Sequence, residues 1–185
     1  MSLLLAGLLL FCGSHLSVAT LPSLARRRKE GAVKGTVALL NVVGMVLIVL
    51  GWRGAQTQWL YELPAAVRLL ALLLVGAGIY LAVVAGRPSR IKRRVRHPQL
   101  TGVLLWSLAH LLLNGDTRSV LLFGTLATWS LLEILFINQR DGAWRKPEAP
   151  PLGTDVATAV VAVVVLAALV WAHPWLAGVP VQLPT

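Results

Sequence analysis

Six apolar runs, each close to the length of a bilayer crossing, constrain this chain more than any other feature of its sequence. They cover about residues 3–24, 35–52, 65–85, 98–113, 117–138 and 155–172. About 18 to 20 mostly apolar residues span the hydrocarbon core as a helix. Because water is absent there, only helices and closed barrels satisfy their backbone groups, and one Val- and Ala-rich run cannot make a barrel. The sequence therefore predicts an all-α, polytopic membrane helix bundle with about six transmembrane helices.

The composition excludes an ordinary soluble globular protein. Of the 185 residues, 57% are hydrophobic and only 13% are charged, whereas soluble domains carry about 25% charged residues. A chain of this length predicts a single domain over residues 1–185. Its one cysteine, Cys12, excludes an intrachain disulfide. No basic stretch precedes the first apolar run, so we expect that run to be a retained anchor and not a signal peptide.

The basic residues are distributed unevenly among the loops. Of the 17 basic residues, only three lie beside the loops that follow the second and fourth apolar runs: Arg53, Arg68 and Arg118. The other fourteen follow the first, third or fifth apolar run: Arg26, Arg27, Arg28, Lys29, Lys34, Arg87, Arg90, Lys92, Arg93, Arg94, Arg96, Arg140, Arg145 and Lys146. Because cytoplasmic loops are enriched in Lys and Arg, this pattern predicts cytoplasmic basic loops and both termini on the outer side. Orientation and contact with anionic lipid then explain the net charge of +10, and no nucleic-acid partner is needed.

The stretch 96–116 places an ionisable histidine deep inside an apolar helix. Pro98 is well placed as its first residue, an Asn-Gly-Asp turn closes it, and His110 lies between them. At about 1.5 Å per residue, His110 lies roughly 20 Å and His15 roughly 16 Å from the same membrane edge. Two neutral imidazoles at matched depth on antiparallel helices can hold one metal, and paired histidines hold haem iron in helix bundles. The alternative is that each histidine only hydrogen-bonds a neighbouring side chain or carbonyl.

Other polar side chains are weaker candidates. Ser107 and Cys12 each lie one turn from a membrane histidine, on the same helix face. Cys12 is a candidate sulfur ligand, although a lone cysteine is more often a small buried apolar residue. Glu133 is expected to pair with His97 or with an arginine at the cytoplasmic edge. His97 precedes its helix, so we expect it at the membrane interface and not on iron.

These motifs resemble the NnrU family of bacterial membrane proteins. The stretch 96–116 reads Arg-His-Pro-Gln-Leu-Thr-Gly-x4-Ser-Leu-Ala-His-x3-Asn-Gly-Asp. Gly13-Ser14-His15 and the tail His-Pro-Trp-Leu-x-Gly-Val-Pro, which starts at His173, are similar too, so the resemblance spans the chain. It implies a multi-pass protein of the bacterial inner membrane that is linked to nitrite and nitric oxide reduction in denitrification. In that membrane, the outer side that the basic loops predict for both termini is the periplasm.

A relative of that family carries a cofactor. Zeta-carotene isomerase of plants and cyanobacteria is a membrane enzyme with haem b on histidine ligands, and by motif those ligands correspond to His15 and His110. That enzyme has a cysteine one turn before the second histidine, and this chain has Ser107 at that position. Ser107 is therefore a neighbour of the histidine ligand that offers no sulfur to iron. The resemblance thus implies haem iron on His15 and His110. Two histidine ligands leave no open iron position, which implies electron transfer, sensing or a switch in which one ligand leaves.

Two further hypotheses stay open. The Arg-His-Pro-x3-Gly motif also resembles membrane methyltransferases that bind S-adenosylmethionine, with His97 and Glu133 as the candidate residues. Alternatively, the chain is a cofactor-free membrane partner that helps to assemble a reductase, and both membrane histidines are structural. Beyond membrane lipid, the expected partners are a small apolar molecule or a redox partner.

Overall fold

A computed structural model of the chain describes residues 1–27 and 30–181. Within these ranges the chain is helical and has no strand, which confirms the all-α prediction. A 3-10 helix, Arg90–Arg93, lies between the fourth and fifth α-helices. Arg28 and Lys29 of the first basic loop, like residues 182–185, lie outside the described residues. The α-helices are α1 (Ser2–Thr20), α2 (Pro22–Arg27), α3 (Gly31–Gly54), α4 (Val67–Ala85), α5 (Pro98–Leu113), α6 (Thr117–Asp141) and α7 (Leu152–Ala177).

Five helices, α1, α3, α4, α6 and α7, are long and apolar enough to cross a membrane. Helix α5 has 16 residues, or about 24 Å, which is less than a hydrocarbon core of about 30 Å. It begins at Pro98 and ends at Leu113, where the sequence predicted it. The described part of the chain is therefore a bundle of five full-length helices and one shorter helix, accompanied by the six-residue α2.

The first apolar run was predicted to continue to residue 24, and that boundary is wrong. Helix α1 ends at Thr20, and Leu21 is extended, with φ −95° and ψ 108°. The ring of a proline disfavours the helical conformation in the residue before it, so Pro22 ends α1 and begins the separate helix α2. Arg26 and Arg27 occupy the last turn of α2, where cations favour the negative helix end.

The six longer helices pack on one another in the order α3, α1, α6, α5, α4, α7. Helix α7 returns to α3 through a weak contact, in which Trp52 Nε1 donates to the Ala177 carbonyl at 3.2 Å. The circuit is therefore tight everywhere except at the seam between α7 and α3. Helix α6 lies between α1 and α5, the two helices that carry the candidate histidines.

Glycines make two of these helix pairs very close. A Cβ at Gly78 of α4 would lie 2.8 Å from the Gly102 carbonyl of α5, and one at Gly102 would lie 2.6 Å from the Gly78 carbonyl. In the α1–α3 pair, a Cβ at Gly7 would lie 2.6 Å from the Ile48 nitrogen. Small residues at these crossings let backbones approach, which is how helices associate where lipid is as apolar as the protein.

Helix α6 carries the longest buried face, and its start is firmly capped. The Asp116 carboxylate accepts hydrogen bonds from the Arg118 and Ser119 backbone N–H groups, both at 3.1 Å, and from the Ser119 hydroxyl at 2.6 Å. Such a cap satisfies N–H groups that have no partner inside the helix. The buried apolar core lies between α1, α3 and α6 and comprises Leu4, Leu8, Cys12, Ile48, Leu122, Phe123, Leu126 and Trp129.

The loop between α3 and α4 is fixed to the turn between α5 and α6. The Leu60 and Tyr61 N–H groups donate to the Gly115 carbonyl at 2.7 and 3.2 Å, and the Tyr61 hydroxyl donates to the Leu111 carbonyl at 2.5 Å. A Cβ at Gly115 would collide with the Tyr61 carbonyl, so the close approach requires glycine. Burial, and then the Asp116 carboxylate, raises the pKa of Tyr61, which keeps its hydroxyl a donor.

The helix directions gather the basic residues at one end of the bundle. His97 at the start of α5 bonds to Asn138 near the end of α6, and Arg87 beyond α4 bonds to Thr158 near the start of α7. Twelve of the fourteen basic residues predicted to share a side are described, and all twelve lie at this end. The cellular side that this end faces, and the single domain, stay predictions.

Candidate functional site

His15 lies on α1 in an aromatic environment. Its ring centroid is 4.7 Å from that of Phe11 and 5.2 Å from that of Trp129 on α6. Its Nδ1 lies 2.9 Å from the Phe11 carbonyl, one turn earlier on the same helix. The side chain is half-buried. One edge of the imidazole is thus fixed to its own helix while the ring makes a T-shaped contact with Trp129 of α6.

His110 repeats this arrangement on α5. Its Nδ1 lies 2.8 Å from the carbonyl of Trp106, again four residues earlier. Its ring centroid is 4.6 Å from the Trp106 ring and 4.5 Å from the Phe123 ring on α6. His110 is also half-buried. Both candidate ligands therefore have the same internal anchor and the same neighbouring helix.

The anchor determines which nitrogen of each imidazole is free. A carbonyl only accepts hydrogen bonds, so the ring proton is on Nδ1 in both His15 and His110, and Nε2 carries the lone pair. Neither Nε2 atom has a hydrogen-bond partner among the described residues. A histidine that ligates a metal usually has its other nitrogen bonded to a carbonyl or carboxylate in this way. Each of the two imidazoles thus has, taken singly, the donor chemistry of a haem-iron ligand.

The two rings lie against different levels of α6. His15 contacts Trp129 and His110 contacts Phe123, positions that are six residues and therefore about 9 Å apart along the helix axis. The sequence estimate had separated the histidines by about 4 Å in depth. The rings make no direct contact with each other in the described part of the chain, and α6 lies between their helices.

His173 lies closer to this site than the sequence indicated. It was assigned to an outer tail, but α7 continues through Pro174 to Ala177 and ends at Gly178, whose φ of 81° suits a helix terminus. His173 and His110 are near enough to each other for charges on the two rings to interact, and the Nδ1 of His173 lies 2.6 Å from the Val179 carbonyl. A proline inside an apolar pattern normally indicates a helix end, which is why the sequence did not reveal this neighbour.

Ser107 is the polar residue of α5 closest along the chain to His110 on the N-terminal side. It is fully buried, and its hydroxyl has no hydrogen-bond partner among the described residues. Most buried hydroxyls in proteins are hydrogen-bonded, so a buried hydroxyl without a protein partner is a candidate to bond a ligand. Ser107 thus retains a free donor one turn from His110.

Cys12 and Glu133 do not join the histidines in one ligand cluster. Within the described residues no three His, Cys, Asp or Glu side chains come together as a metal site. Cys12 packs in the apolar core of α1, α3 and α6. The buried Glu133 carboxylate accepts a hydrogen bond from Trp129 Nε1 at 3.0 Å. Its expected pairing with His97 or an arginine stays a prediction.

His97 lies at the basic end, away from the aromatic pair. Its Nε2 donates to Asn138 Oδ1 at 2.9 Å, and the ring lines a cleft between α4, α5 and the segment after α6. Glu133 is not among the residues that line this cleft. The two residues expected to act together in a methyltransferase are therefore in different environments.

Comparison with known proteins places these residues in a family. The family model described as NnrU protein matches residues 3–181, which include His15, Ser107 and His110. Neither the curated proteins nor the solved structures contain a match to this chain.

Proposed function

The chain belongs to the NnrU family, and on that basis we propose that it is a membrane protein that binds haem b through His15 and His110. The observation that carries the proposal is the shared anchor of the two rings, in which Nδ1–H bonds to the carbonyl four residues earlier, at 2.9 and 2.8 Å. Each Nε2 is then a neutral lone-pair donor, which is the form that binds iron.

The surrounding residues suit a redox or sensing role. Phe11, Trp106, Phe123 and Trp129 contact the two imidazoles, so each histidine has an apolar, aromatic environment on one side. Haem b supplies a one-electron iron couple when it is bound. Ser107 offers a hydroxyl donor near His110 that can adjust the electron density of a ligand. We infer electron transfer or sensing, since two histidine ligands leave no open position on iron.

The family suggests where this chemistry is used. We infer that the protein acts in the bacterial inner membrane, in a step linked to nitrite and nitric oxide reduction, with a redox protein or a small apolar molecule as its partner. The alternative to a role in nitrite and nitric oxide reduction is haem-dependent, isomerase-like redox chemistry at the same two histidines. The apolar surfaces of the five full-length helices are consistent with contact to membrane lipid.

The proposal is tested by the spectrum of the purified protein. Protein from a haem-replete host should show a Soret band and the visible bands of low-spin, six-coordinate reduced haem b. His15→Ala and His110→Ala should each lose or markedly alter these bands, because each removes one axial ligand. Ser107→Ala should shift them only slightly, since its hydroxyl is at most a hydrogen-bond partner of a ligand.

His173→Ala is the matched control for the ligand assignment. We expect it to keep the haem spectrum, because His173 lies toward the end of α7 and, in the described part of the chain, makes no ring contact with the α6 aromatic residues that flank His15 and His110. If His173→Ala loses the spectrum while His15→Ala keeps it, the partner of His110 on iron is His173. Folded protein that is colourless and free of iron after haem-supplemented expression would contradict the proposal, and a cofactor-free assembly partner would then be the better hypothesis.

A further inference from the structure

A cleft opens at the basic end of the bundle, away from the histidine pair. It has a volume of about 370 Å³ and is lined by Lys92, Arg96, His97, Gln99, Trp144 and Pro147, among others. A hollow of about 620 Å³ adjoins it, shares Lys92 and Pro147, and adds Arg87 and Ser89. The walls come from the end of α4, the start of α5 and the segment 142–151 that returns from α6 to α7.

The cations of this cleft are bonded to carbonyls and not to carboxylates. Lys92 Nζ donates to the Ala85 carbonyl and Arg96 Nη1 to the Gly142 carbonyl, both at 2.8 Å. No carboxylate lies within 4.0 Å of either cation in the described part of the chain. Both side chains are half-buried, so their charges are less screened than those of surface cations. The cleft therefore carries positive charge that is not neutralised by a direct ion pair.

The nearby carboxylates do not cancel this charge. Arg96 and His97 interact electrostatically with Asp141. The Asp141 carboxylate, however, forms its ion pair with Arg140, with 2.8 Å between Oδ1 and Nε. Glu148 borders only the adjoining hollow. By contrast, Arg90 lies 3.9 Å from Asp155 and is the cation of this loop that has a carboxylate partner.

The start of α5 adds an anion-binding element to the same cleft. Pro98, Gln99 and Leu100 form the first turn and line the cleft, and the N-cap residue, His97, makes no capping hydrogen bond through its side chain. Pro98 has no N–H group and the Thr101 N–H donates to the His97 carbonyl, so the backbone donors that this turn offers are those of Gln99 and Leu100. N–H groups at the start of a helix have no partner inside it and carry a partial positive charge, so they attract anions. A phosphate group is the anion that such an arrangement of N–H groups, Lys and Arg commonly binds.

We propose that this cleft binds a phosphate group at the membrane surface, most favourably the headgroup of an anionic phospholipid. Trp144 and Leu100 line it beside the cations, which gives the polar and apolar neighbours that an amphiphile needs. The cleft also lies at the ends of membrane-length helices, at the level where tryptophan and headgroups meet. A free phosphate ester shares the headgroup chemistry, and the test below distinguishes the two sources.

The test compares two double variants that remove the same charge. Lys92→Gln/Arg96→Gln removes cations that line the cleft, whereas Arg93→Gln/Arg94→Gln removes neighbouring cations that are exposed and do not line it. Each protein is placed in phosphatidylcholine nanodiscs with or without phosphatidylglycerol, and separately with inorganic phosphate against potassium chloride of equal ionic strength. The melting temperature is measured, and bound lipid is counted by native mass spectrometry.

Phosphatidylglycerol should raise the melting temperature of the unsubstituted chain and of the Arg93/Arg94 variant and remain bound to both. The Lys92/Arg96 variant should bind it about tenfold more weakly or worse, because each lost charge-assisted hydrogen bond weakens binding by roughly that factor. An equal response to inorganic phosphate would support the phosphate site and assign it to a free phosphate ester. Equal losses in both double variants, or no response in the unsubstituted chain, would overturn the proposal.

Lys92→Arg keeps the test decisive if the double variant does not fold. It retains the charge that Lys92→Gln removes, so the single pair should differ in lipid retention in the same direction. If Lys92→Gln binds phosphatidylglycerol and phosphate as tightly as Lys92→Arg does, charge at this position is irrelevant and the proposal is wrong.

Discussion

The four histidines differ in which ring nitrogen is hydrogen-bonded and in the surroundings of the other ring nitrogen. His15 and His110 bond to their own helices through Nδ1 and have aromatic neighbours. His97 commits Nε2 to a side-chain amide at the basic end, and His173 commits Nδ1 to a backbone carbonyl beyond its helix. The same residue type thus serves two kinds of environment, and only the first pair combines a free Nε2 with an apolar aromatic setting.

His97→Ala should lower thermal stability without changing the haem spectrum. It removes a hydrogen bond to Asn138, which is worth about 1 kcal/mol, and it lies roughly 20 Å along α5 from His110. Thermal unfolding in detergent and the visible spectrum measure the two effects. Asn138→Ala, which removes the same bond from the other side, should lower stability by a similar amount. A folded His97→Ala protein without the haem bands would instead make His97 an iron ligand.

The sequence located the candidate residues but not their orientation. His15, Ser107 and His110 stand out because polar groups inside apolar helices are expensive and therefore informative. The bond from each Nδ1 to the preceding turn depends on the side-chain rotamer, which sequence spacing does not give. The proximity of His173 to His110 depends on α7 continuing through Pro174, against the usual effect of proline on a helix.

At the scale of helices, the contact between α4 and α5 depends on glycine. Gly78→Ala should destabilise the protein by about 1–3 kcal/mol, because its Cβ would meet the Gly102 carbonyl at 2.8 Å and the Trp106 nitrogen at 3.1 Å. Gly76→Ala is the matched control in the same helix, since no atom outside its own helix backbone lies within 4 Å of its Cβ. That control should be neutral or slightly stabilising, because alanine is the better helix former. Equal melting temperatures for the two variants would show that this crossing tolerates separation.

Helix boundaries followed from the sequence wherever a local signal was strong. Pro98 and the Asn-Gly-Asp turn fixed α5 to the residue, because proline suits the first helical position and the turn cannot continue a helix. The end of α1 was missed because apolar residues continue past Pro22, and hydrophobicity alone does not register the extended Leu21. In this chain proline therefore ended a helix at position 22 and not at position 174.

For the whole molecule, the order of the helices around the circuit was not predictable. Lipid and protein interior are equally apolar, so the hydrophobic pattern does not say which helix face packs on which neighbour. The close pairs α1–α3 and α4–α5 follow from short connections and glycines. The central place of α6 and the weak seam between α3 and α7 at Trp52 and Ala177 depend on long-range packing.

The orientation of the bundle is the remaining prediction, and it rests on charge alone. The end that carries Arg94 and Pro150 should face the cytoplasm, and the loop around Pro64 should face the periplasm, because Lys and Arg near helix ends oppose translocation. Fluorescent-protein fusions should be bright at Arg94 and Pro150, and alkaline phosphatase should be active when fused at Pro64. The fusion at Pro64 is the internal control, since it is separated from Arg94 by the single helix α4. Phosphatase activity at Arg94 would reverse the orientation and would place the basic cleft on the periplasmic surface.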